Sequence, residues 1–295
     1  MKTRILYTDG KGAFVETDYY KPECGDNEIT VRAVMTGVCR SDIAMMMGEF
    51  GPLPLSMSGH EGIGQVTVIG KNVDNVKIGD YVATRGEPAY ADYYNVRNEE
   101  FVKVPAAEPK YILEPVACGI NVAREAFKKA KEPNTRLLIL GSGFLAWVAY
   151  NTLQISKIEG SVDVVGNSNR DVWGDKLSSE PVGMYDVIID LSGGTDVFDK
   201  DILNNNATII FGAQKQVTTD FANLLWKACT MIFPSPRNDD FIWCMRCAEF
   251  WITSGILNVD KFWTKCYNRN TEWQQAFADG KDRPSGYSRG YIKWD

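Results

Sequence analysis

A single histidine occurs among the 295 residues, and it stands in the tripeptide Gly59-His60-Glu61. Upstream lies Cys39, in Thr36-Gly37-Val38-Cys39-Arg40-Ser41-Asp42; downstream lies Glu114, in Glu114-Pro115. Thiolate, imidazole and carboxylate are donors that Zn²⁺ accepts in a tetrahedral shell, and a catalytic zinc keeps one position for water or substrate. Cys39, His60 and one glutamate, with water, fill such a shell, and one thiolate plus one carboxylate neutralise the ion. Asp42 is placed to accept the other ring N–H of His60 and fix its tautomer, as carboxylates behind metal-bound histidines do. Taken one at a time, Cys39 also reads as a buried thiol and His60 as an ordinary loop histidine.

The second chemical feature is a glycine turn. The apolar run Leu137-Leu138-Ile139-Leu140 leads into Gly141-Ser142-Gly143-Phe144-Leu145-Ala146, a G-x-G-x-x-A between an expected strand and an expected helix. Gly141 permits the tight turn, Gly143 lets the backbone approach a pyrophosphate, and Ala146 allows close helix–strand packing. The helix that opens at Phe144 and Leu145 offers free N–H groups and a partial positive charge to phosphates. An acid at the tip of the next strand reads the ribose 2′-OH of NAD and repels a 2′-phosphate. Here that tip is Gly166-Asn167-Ser168-Asn169-Arg170, without an acid, after the strand Val162-Asp163-Val164-Val165. Gly166, Asn167, Ser168 and Arg170 therefore favour NADP(H) over NAD(H). Asp163 is the counter-candidate, but it falls inside the strand.

These residues need elements to hold them. The first hundred residues read as β-rich, with runs at 29–35, 64–69, 81–84, 90–96 and 101–104 separated by turn signals such as Gly25-Asp26-Asn27 and Gly79-Asp80. From Pro115 the texture changes. A helix-like stretch at 116–131 precedes strands at 136–140, 162–165, 185–190, 207–211 and 230–233, with a helix at 144–155, an alternation that predicts a parallel sheet with crossover helices. A helix at 240–254, a strand at 261–267, a short helix near 271–278 and a closing strand at 290–294 complete the chain.

Gly37-Val38-Cys39-Arg40-Ser41-Asp42, Gly59-His60-Glu61-Gly62, Val76-Lys77-Ile78-Gly79-Asp80-Tyr81-Val82 and Glu114-Pro115, in this order ahead of the glycine turn, resemble the zinc-dependent medium-chain dehydrogenase/reductase family, nearest its polyol and threonine dehydrogenase branch. The resemblance implies an α/β fold: a GroES-like β-rich catalytic domain from residues 1–121 and 259–295, and a Rossmann doubly wound parallel sheet from residues 122–258. It implies that Cys39 and His60 bind one catalytic Zn²⁺, with Glu61 or Glu114 as the third ligand, and that Ser41 relays a proton. It implies hydride transfer between a secondary alcohol (a polyol, sugar or hydroxy-amino acid) and its ketone, in a homodimer or homotetramer. Family members with a structural zinc carry four closely spaced cysteines; between Thr84 and Val96 this chain has none, so at most one zinc is expected.

The substrate is less defined. The residues around Ala276-Phe277-Ala278-Asp279 and Gly290-Tyr291-Ile292-Lys293-Trp294 resemble NADPH-dependent ribulose-5-phosphate reductases, which makes a pentose phosphate an alternative. Arg40, Arg85 and Lys215 are candidates to grip a phosphate or are plain surface charges, and Met45-Met46-Met47 with Phe50 line a pocket or pack. A zinc-free quinone or enone reductase and a non-catalytic nucleotide-binding protein are the rival readings.

Bulk properties narrow the classes. A net charge of −6 and no long basic run argue against nucleic acid and anionic membranes as partners. No stretch approaches the length of a membrane span, and the first residues do not read as a secretory signal. Seven scattered cysteines point to a reducing, cytoplasmic setting. The Cys244-Met245-Arg246-Cys247 pair falls in the expected helix at 240–254 and reads as two helix-face thiols.

Overall fold

The computed structural model describes residues 1–130, 132–193, 201–213 and 221–294, which form two compact units. One comprises Met1–Pro115 with Met245–Asp295, the other Val116–Cys244.

The first unit is built on β-strands. β1 (Lys2–Tyr7) and β2 (Val15–Tyr20) form an antiparallel hairpin; alternation along β1 buries Thr3 and Ile5, and Leu6 is buried on the opposite face. Five strands of a seven-stranded sheet follow: β3 (Glu28–Gly37), β4 (Gly62–Ile69), β5 (Tyr81–Thr84), β6 (Tyr93–Arg97) and β7 (Phe101–Val104). Ten-residue β3 is its hub, pairing antiparallel with both β4 and β6. Its core-facing residues Ile29, Val31 and Ala33 are buried, as the two-residue period requires. Where β3 ends, Cys39 adopts extended backbone (φ −92°, ψ 156°) and starts helix α1 (Arg40–Met46). Behind this corner Phe14 stacks on Phe277 with ring centroids 3.7 Å apart, and Tyr90 meets both rings edge-on.

The second unit is a parallel sheet. Its strands are β8 (Arg136–Leu140), β9 (Ser161–Val165), β10 (Leu177–Ser178), β11 (Tyr185–Asp190), β12 (Leu203–Phe211) and β13 (Thr230–Ile232). They lie in the order β10-β9-β8-β11-β12-β13, every pairing parallel. Counting from β8, this is the 3-2-1-4-5-6 order of a doubly wound dinucleotide fold. The central strands carry continuous apolar runs (Leu137–Leu140, Val187–Ile189, Ile209–Ile210) because helices cover both faces of such a sheet. Helix α2 (Glu114–Lys129) precedes β8, and α3 (Phe144–Ile155) joins β8 to β9.

The chain returns to the first unit through the helix Phe241–Thr253. There β14 (Trp263–Asn268) pairs with β15 (Arg289–Lys293), which adds antiparallel to β3. This addition brings the last residues of the chain to the corner where α1 begins. Among the described residues no helix is long and apolar enough to cross a membrane.

Candidate active site

Cys39, His60 and Glu61 offer ligand atoms that all lie within 4.8 Å of one another. Zinc bonds of about 2.0–2.3 Å place tetrahedral ligand atoms roughly 3.5 Å apart, so modest side-chain adjustment closes this set around an ion. Each residue sits at the end of an element: Cys39 between β3 and α1, His60 and Glu61 just ahead of β4. The β3–β4 pairing holds the two ends side by side, with Gly37 N–H donating to Glu61 O at 2.9 Å. A Cβ on Gly37 would lie 2.2 Å from Glu61 Oε2, so only glycine fits beside this carboxylate.

The surroundings are charged and buried. Asp42 is 1% exposed; its Oδ2 accepts the Cys39 N–H at 2.8 Å and the Tyr90 hydroxyl at 2.8 Å, and its Oδ1 faces His60 Nδ1 at 3.6 Å. The Asp42–His60 pairing expected from the sequence is thus an ion-pair approach, longer than a hydrogen bond. Ser41 Oγ stands 3.4 Å from the other ring nitrogen, Nε2. Glu61, also 1% exposed, pairs through Oε2 with Arg289, while its buried Oε1 has no hydrogen-bond partner among the described residues. That orphaned, buried oxygen beside a thiol and an imidazole is the donor set a divalent cation satisfies.

Electrostatics follow from this crowding. Burial pushes the Cys39 thiol up, and the Glu61 charge adds to it against the opposing pull of His60. Burial also pushes Asp42 up, while His60 works the other way. For His60, burial disfavours the imidazolium, but Asp42, the Cys39 hydrogen bond and the Glu114 charge outweigh it and hold the ring well above its ordinary value. Glu114, buried at the start of α2, acts on His60 through its charge but is outside the converging trio.

Two residues here were not singled out from the sequence. Arg289, in β15, is largely covered where it meets Glu61 and lies over the Trp263 ring, 5.0 Å from its centroid. Tyr90, fully buried, bonds Asp42 from a turn ahead of β6; the run expected as a strand at 90–96 begins at Tyr93. Other candidates are placed elsewhere. Arg40 is exposed at the start of α1, and Arg85 forms ion pairs with Glu100. Lys215 lies outside the described residues. Met46 is buried, whereas Met47 and Phe50 are exposed. Cys244 is buried and Cys247 half-buried on the helix Phe241–Thr253, and all seven cysteines are free thiols.

In the second unit the glycine turn joins β8 to α3. Gly141 takes φ +111°, which favours glycine, and Gly143, with open space where a Cβ would stand, precedes Phe144 and Leu145 in the first turn of α3. Ala146 is buried against the sheet. Ser142 ties this turn to the tip of β9. Its Oγ accepts from Ser168 N–H at 3.1 Å and meets Ser168 Oγ at 3.0 Å; its carbonyl accepts from Asn169 Nδ2 at 2.9 Å and Trp173 Nε1 at 3.0 Å. A Cβ on Gly166 would lie 2.5 Å from Ser142 Oγ, so packing excludes an acid there independently of cofactor choice. Asn167, Ser168 and Arg170 are exposed. Asp163 lies within β9 and is bonded by Arg136 at 3.0 Å and Tyr185 at 2.9 Å, so its carboxylate serves the sheet.

The sequence profile of the alcohol dehydrogenase GroES-like domain matches residues 25–106, which span both β3 and the His60 corner. D-arabitol-phosphate dehydrogenase of Enterococcus avium is 25% identical over 88% of this chain and 88% of its own length. Residues 25–106 thus match an alcohol dehydrogenase GroES-like domain, and the full-length likeness to polyol dehydrogenases supports a medium-chain alcohol or polyol dehydrogenase relationship. The fold of this chain recurs in a short chain alcohol dehydrogenase of E. coli CFT073 complexed with NADH, at TM-score 0.80 and 14% identity over 99% of both chains. It recurs again in a cobalt- and zinc-bound thermostable alcohol dehydrogenase of Pyrobaculum aerophilum, at TM-score 0.77 and 17% identity over 99% of this chain and 100% of that one.

Proposed function

We propose that this chain is a zinc-dependent, NADP(H)-linked dehydrogenase that interconverts a secondary alcohol of a polyol or sugar and its ketone. The observation that carries the reading is the convergence of Cys39, His60 and Glu61, with one Glu61 oxygen buried and unsatisfied. These three would hold one Zn²⁺, with Glu114 as an alternative third ligand. When bound, the ion supplies Lewis acidity, lowering the pKa of a hydroxyl and polarising a carbonyl.

The chain's own residues supply the rest. Asp42, facing Nδ1, orients His60 so that Nε2 is the nitrogen left for the cation. Ser41, at 3.4 Å from Nε2, has its hydroxyl beside the ligand atoms and takes the alcohol proton outward. A bound nicotinamide cofactor would supply the hydride acceptor, taking the carbinol hydrogen together with both C–H bonding electrons, and Ser41 with water would carry the O–H proton outward; reduction would reverse both transfers. Gly141, Gly143, Phe144 and Leu145 present backbone to the pyrophosphate. The NADP(H) preference is supported by the exposed Asn167, Ser168 and Arg170 at the tip of β9 and by the engagement of Asp163 within the sheet. The Enterococcus avium relative makes polyol phosphates part of the substrate class to be tried.

Two further elements belong to this reading. A homodimer or homotetramer is supported by the outer strand β13, where Met231 and the neighbouring Phe233, Leu225 and Trp226 are exposed. A cytoplasmic setting is supported by the seven free thiols. The test is elemental analysis of purified protein together with NADPH and NADH titrations and a panel of polyols, polyol phosphates and ketones. One zinc per chain, tighter NADPH than NADH and turnover on a polyol are expected. Metal-free protein with full activity would exclude the zinc reading, and equal affinity for both dinucleotides would exclude the preference.

A further inference from the structure

Tyr90 carries a hydroxyl whose position the core packing alone does not require. Its ring packs edge-on against the stacked pair Phe14 and Phe277, which a phenylalanine would do equally well. A buried hydroxyl is costly unless it is bonded. This one lies within reach of two acceptors, Asp42 Oδ2 at 2.8 Å and Gly37 O at 3.0 Å. It has one proton, and the carboxylate is the closer and stronger acceptor.

The consequence runs through Asp42. Oδ2 receives two donors, the Tyr90 hydroxyl and the Cys39 N–H, which together fix the rotation of the carboxyl group. With Oδ2 held, Oδ1 is left facing His60 Nδ1. One carboxylate therefore sets the backbone of one candidate ligand and the ring of another, and Tyr90 is the side chain that holds it. The tyrosine backbone is itself tied beside His60: Tyr90 N–H donates to Ser58 O at 3.1 Å, and Ala89 N–H to Gly59 O at 3.0 Å.

We infer that Tyr90 is a positioning residue for the metal centre: its hydroxyl locks Asp42 so that Cys39 and His60 are pre-arranged for a divalent cation. This rests on the zinc reading above and adds to it a residue that touches neither cation nor substrate.

The test is a cobalt(II) titration of metal-free protein, followed by visible absorption and chelator competition, with thermal unfolding in chelator as a separate readout. Four proteins are compared: wild type, Tyr90→Phe, Asp42→Asn and the double variant. Replacing a partner behind a metal ligand typically costs about 10–100-fold in metal affinity, and Tyr90→Phe is expected at the lower end, about tenfold, with altered cobalt bands. The double variant is expected to bind no more weakly than Asp42→Asn alone, because the hydroxyl acts only through that carboxylate. Wild-type affinity and spectrum in Tyr90→Phe, beside a weakened Asp42→Asn, would overturn the inference while leaving the zinc reading intact. So would losses that simply add in the double variant, and that comparison with Asp42→Asn still decides if Tyr90→Phe alone fails to fold. A wild-type chain that takes up no cobalt overturns the zinc reading and this inference with it.

Discussion

Around His60 the chain gathers charge out of water: Asp42, Glu61 and Arg289 are all buried or nearly so, and each is held by another charged or strongly polar group. Around Ser142 it gathers glycines and neutral hydrogen bonds, with Gly141, Gly143 and Gly166 leaving backbone open or closely packed. A buried carboxylate with a free oxygen is tolerable only where something offsets its desolvation, as Arg289 does for Glu61 and a cation would do further. A turn that meets phosphates needs no charge of its own, because helix N–H groups do the work. The first region should therefore respond to changes of charge, the second to changes of volume.

Removing a ligand from the charged region is the strongest way to break this contrast. Cys39→Ser and His60→Ala are each expected to abolish turnover and metal content while leaving dinucleotide binding in place; steady-state rates, metal analysis and cofactor fluorescence report the three separately. Next in size is Arg289→Met. It strands the Glu61 carboxylate in the interior, and loss of one partner from a buried pair costs about 3–5 kcal/mol. Urea unfolding of the metal-free protein should show that loss, and Glu61→Gln in the same background should recover most of it.

In the neutral region Gly166→Ala is expected to destabilise by about 1–3 kcal/mol through overpacking against Ser142. Ser142→Gly, which removes the two nearest atoms, should relieve part of the cost; a cofactor switch should instead be sought with an acid at Asn167. The smallest effect concerns Glu100. Burial pushes its carboxyl up, but the Arg97 hydrogen bond and the Arg85 charge outweigh this and hold it below its ordinary value. A carboxyl depressed in the folded state contributes stability above its unfolded pKa of about 4.3, lost as pH falls through the folded value. Glu100→Gln should therefore flatten the acid limb of a stability–pH curve by less than about 1 kcal/mol.

How much of this was legible in the sequence depended on range. Strands β8 and β11 and helix α3 stand at the residues their apolar runs predict, because burial on both faces leaves an unbroken signature. Cys39, His60 and Glu61 could be proposed from donor chemistry alone. Arg289 could not: it meets Glu61 across 228 positions, and only the addition of β15 to β3 brings it there. Tyr90 opens the short run at 90–96 that reads as a strand, while the inferred role of its side chain depends on a hydroxyl contact to Asp42 that periodicity does not encode. Helix α1 was also hidden, since seven residues between β-rich segments are too few to show a helical period. Gly166 looked like a cofactor signal, and the structure adds a second reason for it in the close approach of Ser142.

The central claim is that Cys39, His60 and Glu61 act together as one cation site. Its most direct test is the stoichiometry of cobalt(II) bound by metal-free wild-type protein, read from the thiolate-to-cobalt charge-transfer band. One equivalent per chain, with the band absent in Cys39→Ser, is the predicted result; a band that survives that substitution, or none in the wild type, contradicts the account.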